Sequence, residues 1–199
     1  MLTKERFIEH YKNGFMPWAH EKPDYNLVEL VENWPIVPCK TLEAGCGTGT
    51  DSIWLSQQGF QTTACDASKI AIEKATENVM KHNADVNFKV VDFLTETLAP
   101  NEYDFVFDRG FFHCFDSHSD RTKIAKQVSN VLNENGLWLS LIGNADGIKT
   151  EPGPPLLKAE QVIIAVEPFF EILSIRASHF GNDQVEPPKI WVCLMRKRS

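Results

Sequence analysis

Leu42-Glu43-Ala44-Gly45-Cys46-Gly47-Thr48-Gly49 is the stretch whose reading decides the fold. An apolar run from Thr41 to Ala44 ends in three glycines at alternate positions, and an amphipathic segment begins at Asp51. That order is strand, tight turn, helix start. Glycine lets the backbone turn sharply and approach a ligand where a Cβ would clash. The helix that follows adds N–H groups with no partner inside the helix. The segment therefore reads as a backbone cradle at the tip of a strand.

Outward from this loop, short β-rich runs alternate with amphipathic stretches, the signature of βαβ units around a mainly parallel sheet. The helix from Asp51 stops at Gly59, a left-handed cap, and Phe60 to Cys65 is strand two. Ser68 caps a helix carrying Ile72, Ala75 and Val79, and strands follow at Val86 to Val91 and Tyr103 to Phe107. A helix from about Ser119 places Ile124, Val128, Val131 and Leu132 on one face. Asn133-Glu134-Asn135-Gly136 makes a turn, and Leu137 to Ile142 is strand five. After the Pro/Gly-rich loop Gly143 to Pro155 come a helix at Ala159 to Val166 and strands near Phe170 to Ala177 and Ile190 to Met195. Their short polar connection suits an antiparallel pair. The expected architecture is an α/β, Rossmann-like sheet, mainly parallel with an antiparallel C-terminal strand and helices on both faces. Residues 1–35 form a helical preface, and 36–199 the single domain behind it.

The chain has 199 residues and 43% hydrophobic composition, enough to bury one full core. Its formal net charge of -7 opposes a phosphate-tracking surface, so no nucleic-acid partner is expected. Five cysteines at irregular spacing suit reduced, buried thiols. No apolar run resembles a signal or a bilayer span. The expectation is a cytoplasmic protein with no membrane partner, monomeric by default.

A nicotinamide-dinucleotide fingerprint, G-x-G-x-x-G/A, would set glycines at Gly45 and Gly47 and want a small residue at position 50, which is Thr50. The spacing Gly45, Gly47, Gly49, with Glu43 before it, instead resembles the E/D-x-G-x-G-x-G motif of class I S-adenosylmethionine-dependent methyltransferases. Asp66 ends strand two, 17 residues after Gly49, where a carboxylate can accept both ribose hydroxyl hydrogens. Asp92 and Phe93 end strand three; in the family such a pair meets the adenine amino group and ring. Taken singly, Asp66 could be a helix cap, Asp92 a turn former, Phe93 a core residue and Glu43 a brace. By resemblance the S-adenosyl-L-methionine site comprises Trp18, Glu43, Gly45, Cys46, Gly47, Gly49, Asp66, Ala67, Asp92, Phe93 and Asp108.

On the acceptor side, Asp108-Arg109-Gly110 follows strand four, with Gly153-Pro154-Pro155 after strand five and Pro17-Trp18 near the start. This combination resembles the thiopurine, thiol and halide S-methyltransferase superfamily. The resemblance implies a small-molecule methyl acceptor, of thiol, thiopurine-like, halide or chalcogen type, with O- and N-acceptors as the alternative. Asp108, Arg109 and His113 are the candidate catalytic residues: Arg109 as a substrate-facing cation, His113 as a base. Arg109 paired with an acid and His113 packed against backbone stand as the structural readings of the same residues. No metal is expected, because the stretch His113 to Asp120 lacks a zinc spacing and suits helix capping. Phe7, Tyr11, Phe15 and Trp18 could form a lid, with the loop around Glu151 to Pro155 as the other wall. A nicotinamide-dependent oxidoreductase and a non-catalytic cofactor-binding module are the readings from other classes.

Overall fold

The computed structural model describes residues 3–33, 36–148, 153–181 and 186–199. Two helices, α1 (Thr3–Lys12) and α2 (Tyr25–Asn33), precede the first strand. Strands and helices then alternate as β1 (Lys40–Ala44), α3 (Thr50–Gln57), β2 (Gln61–Asp66), α4 (Lys69–His82) and β3 (Val86–Val90). β4 (Tyr103–Arg109) leads through a 3-10 turn at Phe112–Cys114 into α5 (His118–Val131) and β5 (Leu132–Gly143). The chain closes with α6 (Ala159–Val166), β6 (Phe170–His179) and β7 (Lys189–Lys197).

Among the described residues the strands form one seven-stranded sheet, in the order β3-β2-β1-β4-β5-β7-β6. β1 to β5 run parallel, and β7 is antiparallel to both β5 and β6, as expected from the sequence. From β1 the chain steps outward through β2 and β3, then restarts on the other side at β4. That reversal opens a crevice beyond the carboxyl ends of β1 and β4, where ligands bind in sheets of this kind.

Strand alternation sorts side chains into two cores. Val106 and Trp138 join Ile124, Val128 and Val162 on the face covered by α5 and α6. Phe105, Phe107, Leu139 and Leu141 join Leu27 and Leu55 on the face covered by α2 and α3. By the same alternation Asp108 shares the face of Val106, and Arg109 the face of Phe107. The helix starts follow their caps: the Ser68 hydroxyl accepts from the Ala71 N–H, and that of Ser117 from the Asp120 N–H. The turn expected at Asn133 to Gly136 lies inside β5. Leu132 already pairs with Tyr103, and the four residues bulge out before Leu137 meets Phe105, with Asn135 at φ 61°. No helix among the described residues is long and apolar enough to cross a membrane.

Candidate active site

The three glycines of the loop have positive φ, +69° at Gly45, +55° at Gly47 and +80° at Gly49, and each does different work. A Cβ on Gly45 would lie 2.7 Å from the Phe111 ring, and one on Gly47 would lie 3.1 Å from Tyr11 Oη. Gly49 departs from the sequence reading. It caps α3 and does not line the cavity; a Cβ there would meet Phe88 at 2.9 Å and Ala75 at 3.1 Å, so it serves helix packing. The Cys46 N–H donates to the Cys65 carbonyl at 3.0 Å and ties the loop to β2. Asp66, at the tip of β2, folds over the loop. Its Oδ2 accepts from the Gly47 N–H at 3.1 Å and its Oδ1 from the Ser68 N–H at 2.8 Å. Burial raises its pKa, and these two backbone donors oppose the rise.

A cavity of about 840 Å³ opens beyond these strand ends, lined by Glu43, Gly45, Cys46, Gly47, Asp66, Ala67, Asp92, Phe93 and Trp18. Such a volume lies in the upper part of the roughly 300–1,000 Å³ range of small-molecule sites. Glu43 is buried and accepts from the Ser52 hydroxyl, and burial followed by the nearby Asp51 pushes its pKa well up. Asp92 turns the chain after β3, accepting from the Leu94 N–H at 3.1 Å, and its other oxygen pairs with Lys4 at 3.3 Å. Phe93 is buried edge-on to Phe111, with ring centroids 5.9 Å apart.

The N-terminal segment roofs this cavity. Trp18 Nε1–H donates to Tyr11 Oη at 3.1 Å, above Gly47, and Phe7 meets Trp18 edge-on at 5.1 Å. Thr50, the residue that departs from the dinucleotide fingerprint, donates its hydroxyl to the His20 carbonyl at 2.8 Å. Asp51 accepts from the Asp24 N–H at 2.7 Å and pairs with His20 at 3.3 Å. The start of α3 thus carries the preface. Of the loop expected as the other wall, Gly153 and Pro154 line the cavity, whereas Glu151 and Pro152 lie outside the described residues.

At the tip of β4 each of the three candidate catalytic residues has partners of its own. Asp108 does not reach the cavity. It points to the α5 side of the sheet, fully buried, and accepts from Trp138 Nε1–H at 2.8 Å and from the Phe111 and Phe112 N–H groups. Burial raises its pKa to about 6, and its work is to hold the turn after β4. Arg109 lines the cavity, and three of its five N–H donors are engaged. Nε pairs with Asp24 at 3.0 Å, Nη1 and Nη2 donate to the Trp18 and Gly181 carbonyls at 3.2 Å each, and Phe180 covers its face at 4.7 Å. It ties the preface to the sheet, with Asp24 as its counter-ion. His113 is buried, and Gly143 N–H donates to its Nδ1. Burial, then the charges of Arg109 and Arg6, lower its pKa to about 4, which holds the imidazole neutral at pH 7.

Sequence reasoning missed Asp24, Phe180 and the inward-facing polar side chains of α1. Asp24 carried one usable signal: Asp24-Tyr25-Asn26 precedes an apolar helix, and a buried acid at a helix start needs a partner.

Residues 41–136 match the family model described as a methyltransferase domain. A probable thiol methyltransferase 2 of Arabidopsis thaliana is 30% identical over 173 residues, covering 83% of this chain and 73% of its own. Thiocyanate methyltransferase 1 of Brassica oleracea is 28% identical over 182 residues, covering 86% of this chain and 76% of its own. A solved structure described as the conversion of a disulfide bond into a thioacetal group during echinomycin biosynthesis superposes with a TM-score of 0.84 at 22% identity. It covers 98% of this chain and 93% of its own, a likeness of fold. The chain belongs to the class I S-adenosylmethionine-dependent methyltransferases acting on small molecules, with the pattern of the thiopurine, thiol and halide S-methyltransferase superfamily.

Proposed function

We propose that this enzyme transfers the methyl group of S-adenosylmethionine to a thiol, chalcogen or halide acceptor, in a cavity of the domain 36–199 for which the preface 1–35, through its described residues, serves as a lid. The observation that carries the reading is one cavity holding the glycine loop, Asp66 and Asp92 on one wall and the turn after β4 on another. The residues fit the cofactor. Gly45 and Gly47 leave a Cβ-free path for a methionyl chain, Asp66 keeps unused lone pairs for ribose hydroxyls, and Asp92 with Phe93 can take the adenine. Tyr11 and Trp18 close over the loop.

When bound, the cofactor supplies a sulfonium-activated methyl carbon: the acceptor's electron pair forms the new bond, and the carbon–sulfur pair returns to sulfur. The protein's own work is to bind, align and keep water out, effects worth up to about 7–11 kcal/mol. His113 takes no proton in this reading, and Cys114 is a thiol whose pKa burial lifts to about 12. The acceptor therefore arrives ionised. A monomer in the cytoplasm, with no nucleic-acid partner, completes the reading, supported by the net charge of -7.

Calorimetry with S-adenosylmethionine tests the site, and Asp66→Ala should weaken binding on the order of a hundredfold, since hydrogen bonds to a charged group are lost. Labelled cofactor with thiols, selenite, tellurite, halides, phenols and amines tests the acceptor. Methylation confined to phenols or amines would overturn it.

A further inference from the structure

Helix α1 carries two buried polar atoms with nothing to bond, on side chains that line the cavity. Arg6 Nη2 and His10 Nδ1 are buried, their side chains line the cavity, and neither atom has a hydrogen-bond partner among the described residues. They stand four residues apart on the helix, the spacing that makes side chains neighbours. Buried polar groups are normally paired, so two adjacent orphans on side chains that line one cavity point to a missing ligand. Both side chains are held: the Arg6 guanidinium lies over the Phe7 ring at 5.4 Å, and His10 stacks on Trp18 at 5.7 Å.

Arg6 reaches towards the turn after β4, while His10 stacks on Trp18 beside the glycine loop. The charge of Arg6 is felt by His113 and Cys114, at the turn after β4. Apolar side chains border the same turn. Phe115 follows Cys114 and packs on Phe111 at 5.1 Å, and Leu156 lies beside His113, both being within 3 Å of where a Gly143 Cβ would stand. Arg109, the other cation near this turn, already carries Asp24 as its counter-ion.

We propose that Arg6 and His10 form the seat for the acceptor, and that the acceptor is an organic anion, a negatively charged nucleophilic atom on an apolar body. This rests on the proposed function and names its substrate class and the residues that select it. The charge balance agrees. An anion and a sulfonium enter, the anion's lone pair bonds to the methyl carbon, the carbon–sulfur pair stays with sulfur, and two neutral products leave. No proton moves, so no base is needed. The seat loses its grip when the methyl arrives, because the charge it binds is gone.

The test uses the full chain, benzenethiolate as acceptor and thioanisole, its neutral methylated counterpart. Arg6→Gln should lower kcat/KM for benzenethiolate by roughly tenfold to a hundredfold, the range of a lost charge-assisted hydrogen bond, with Arg6→Lys recovering most of it. His10→Phe, which keeps a ring on Trp18, should give a smaller loss of the same sign. Affinity for S-adenosylmethionine, and for thioanisole in the S-adenosylhomocysteine complex, should stay within about threefold, neither contact involving the acceptor's charge. Weakening of S-adenosylmethionine binding in step with turnover would place Arg6 on the cofactor's own carboxylate and overturn the proposal. So would equal loss of benzenethiolate and thioanisole binding, or faster turnover of iodide and hydrosulfide than of benzenethiolate. A wild type that binds S-adenosylmethionine yet neither binds nor methylates any of these anions also overturns it. Failure to bind S-adenosylmethionine at all would instead sink the reading beneath it.

Discussion

Replacing Asp24 by alanine should destabilise the protein more than an ordinary loop substitution, because this carboxylate satisfies several groups at once. Asp24 is fully buried and accepts from Arg109 Nε at 3.0 Å, Gly181 N–H at 2.8 Å, and the Asn26 N–H and side-chain amide at 2.9 and 2.8 Å. Its loss leaves the Arg109 guanidinium, 8% exposed, with no carboxylate partner among the described residues. Removing one member of a buried ion pair costs about 3–5 kcal/mol, mainly because the other charge stays buried. At roughly 2–4 °C per kcal/mol for a chain of this size, Tm should fall by about 6–20 °C. Urea unfolding at pH 7 followed by tryptophan fluorescence, with calorimetric melting, reads the change. Arg109→Met combined with Asp24→Ala should cost less than the sum of the single changes by about 1–3 kcal/mol. A loss below about 1 kcal/mol, or strict additivity, would refute the claim that this pair fastens the preface to β4.

Gly45→Ala puts a Cβ 2.7 Å from Phe111 at a φ of +69°, so a stability loss of about 1–3 kcal/mol and at least tenfold weaker S-adenosylmethionine binding are expected. Unchanged affinity in calorimetry would mean that the loop tolerates a side chain. His113→Gln isolates a pH effect. With its pKa lowered from 6.5 to about 4, folded His113 resists protonation, so its contribution is full above pH 6.5 and is lost as pH falls towards 4. That gap corresponds to about 3 kcal/mol, and the wild type should lose that much more than the variant between pH 7 and pH 4. Asp108, held near 6, contributes with the opposite sign but is common to both proteins and cancels. Urea midpoints that run parallel across this range would refute the assignment.

The sheet was readable because glycine spacing, caps and apolar runs are local signals. Gly45 and Gly47 announce a backbone approach that no other residue permits, and Ser68 and Ser117 mark helix starts by chemistry that acts within three residues. The tip of β4 was harder. Both faces of that strand are buried, so hydrophobicity does not say which way Asp108 and Arg109 point; only the parity shared with Val106 and Phe107 does, and it was available. The partner of Arg109 lies 85 residues away, and no local pattern encodes such a contact. Gly49 carried the motif's spacing while serving the packing of α3 against Phe88, a role that the spacing cannot distinguish from ligand approach. Thr50 was informative for what it excluded, and its own function, holding His20, emerged only in three dimensions.

The N-terminal segment is fastened unequally. Near α2 it is riveted by the dry Asp24–Arg109 contact, whereas α1 is tethered to Asp92 by Lys4, an ammonium whose side chain is 45% exposed. A wet pair of that sort contributes at most about 1 kcal/mol and fades as electrolyte is added. In the proposed lid, α1 would then be the end that gives first, with Tyr11 and the ring contacts to Trp18 left to hold it. Because Lys4 grips the carboxylate proposed to greet the adenine, an arriving nucleoside would compete with that latch for one oxygen and so loosen it.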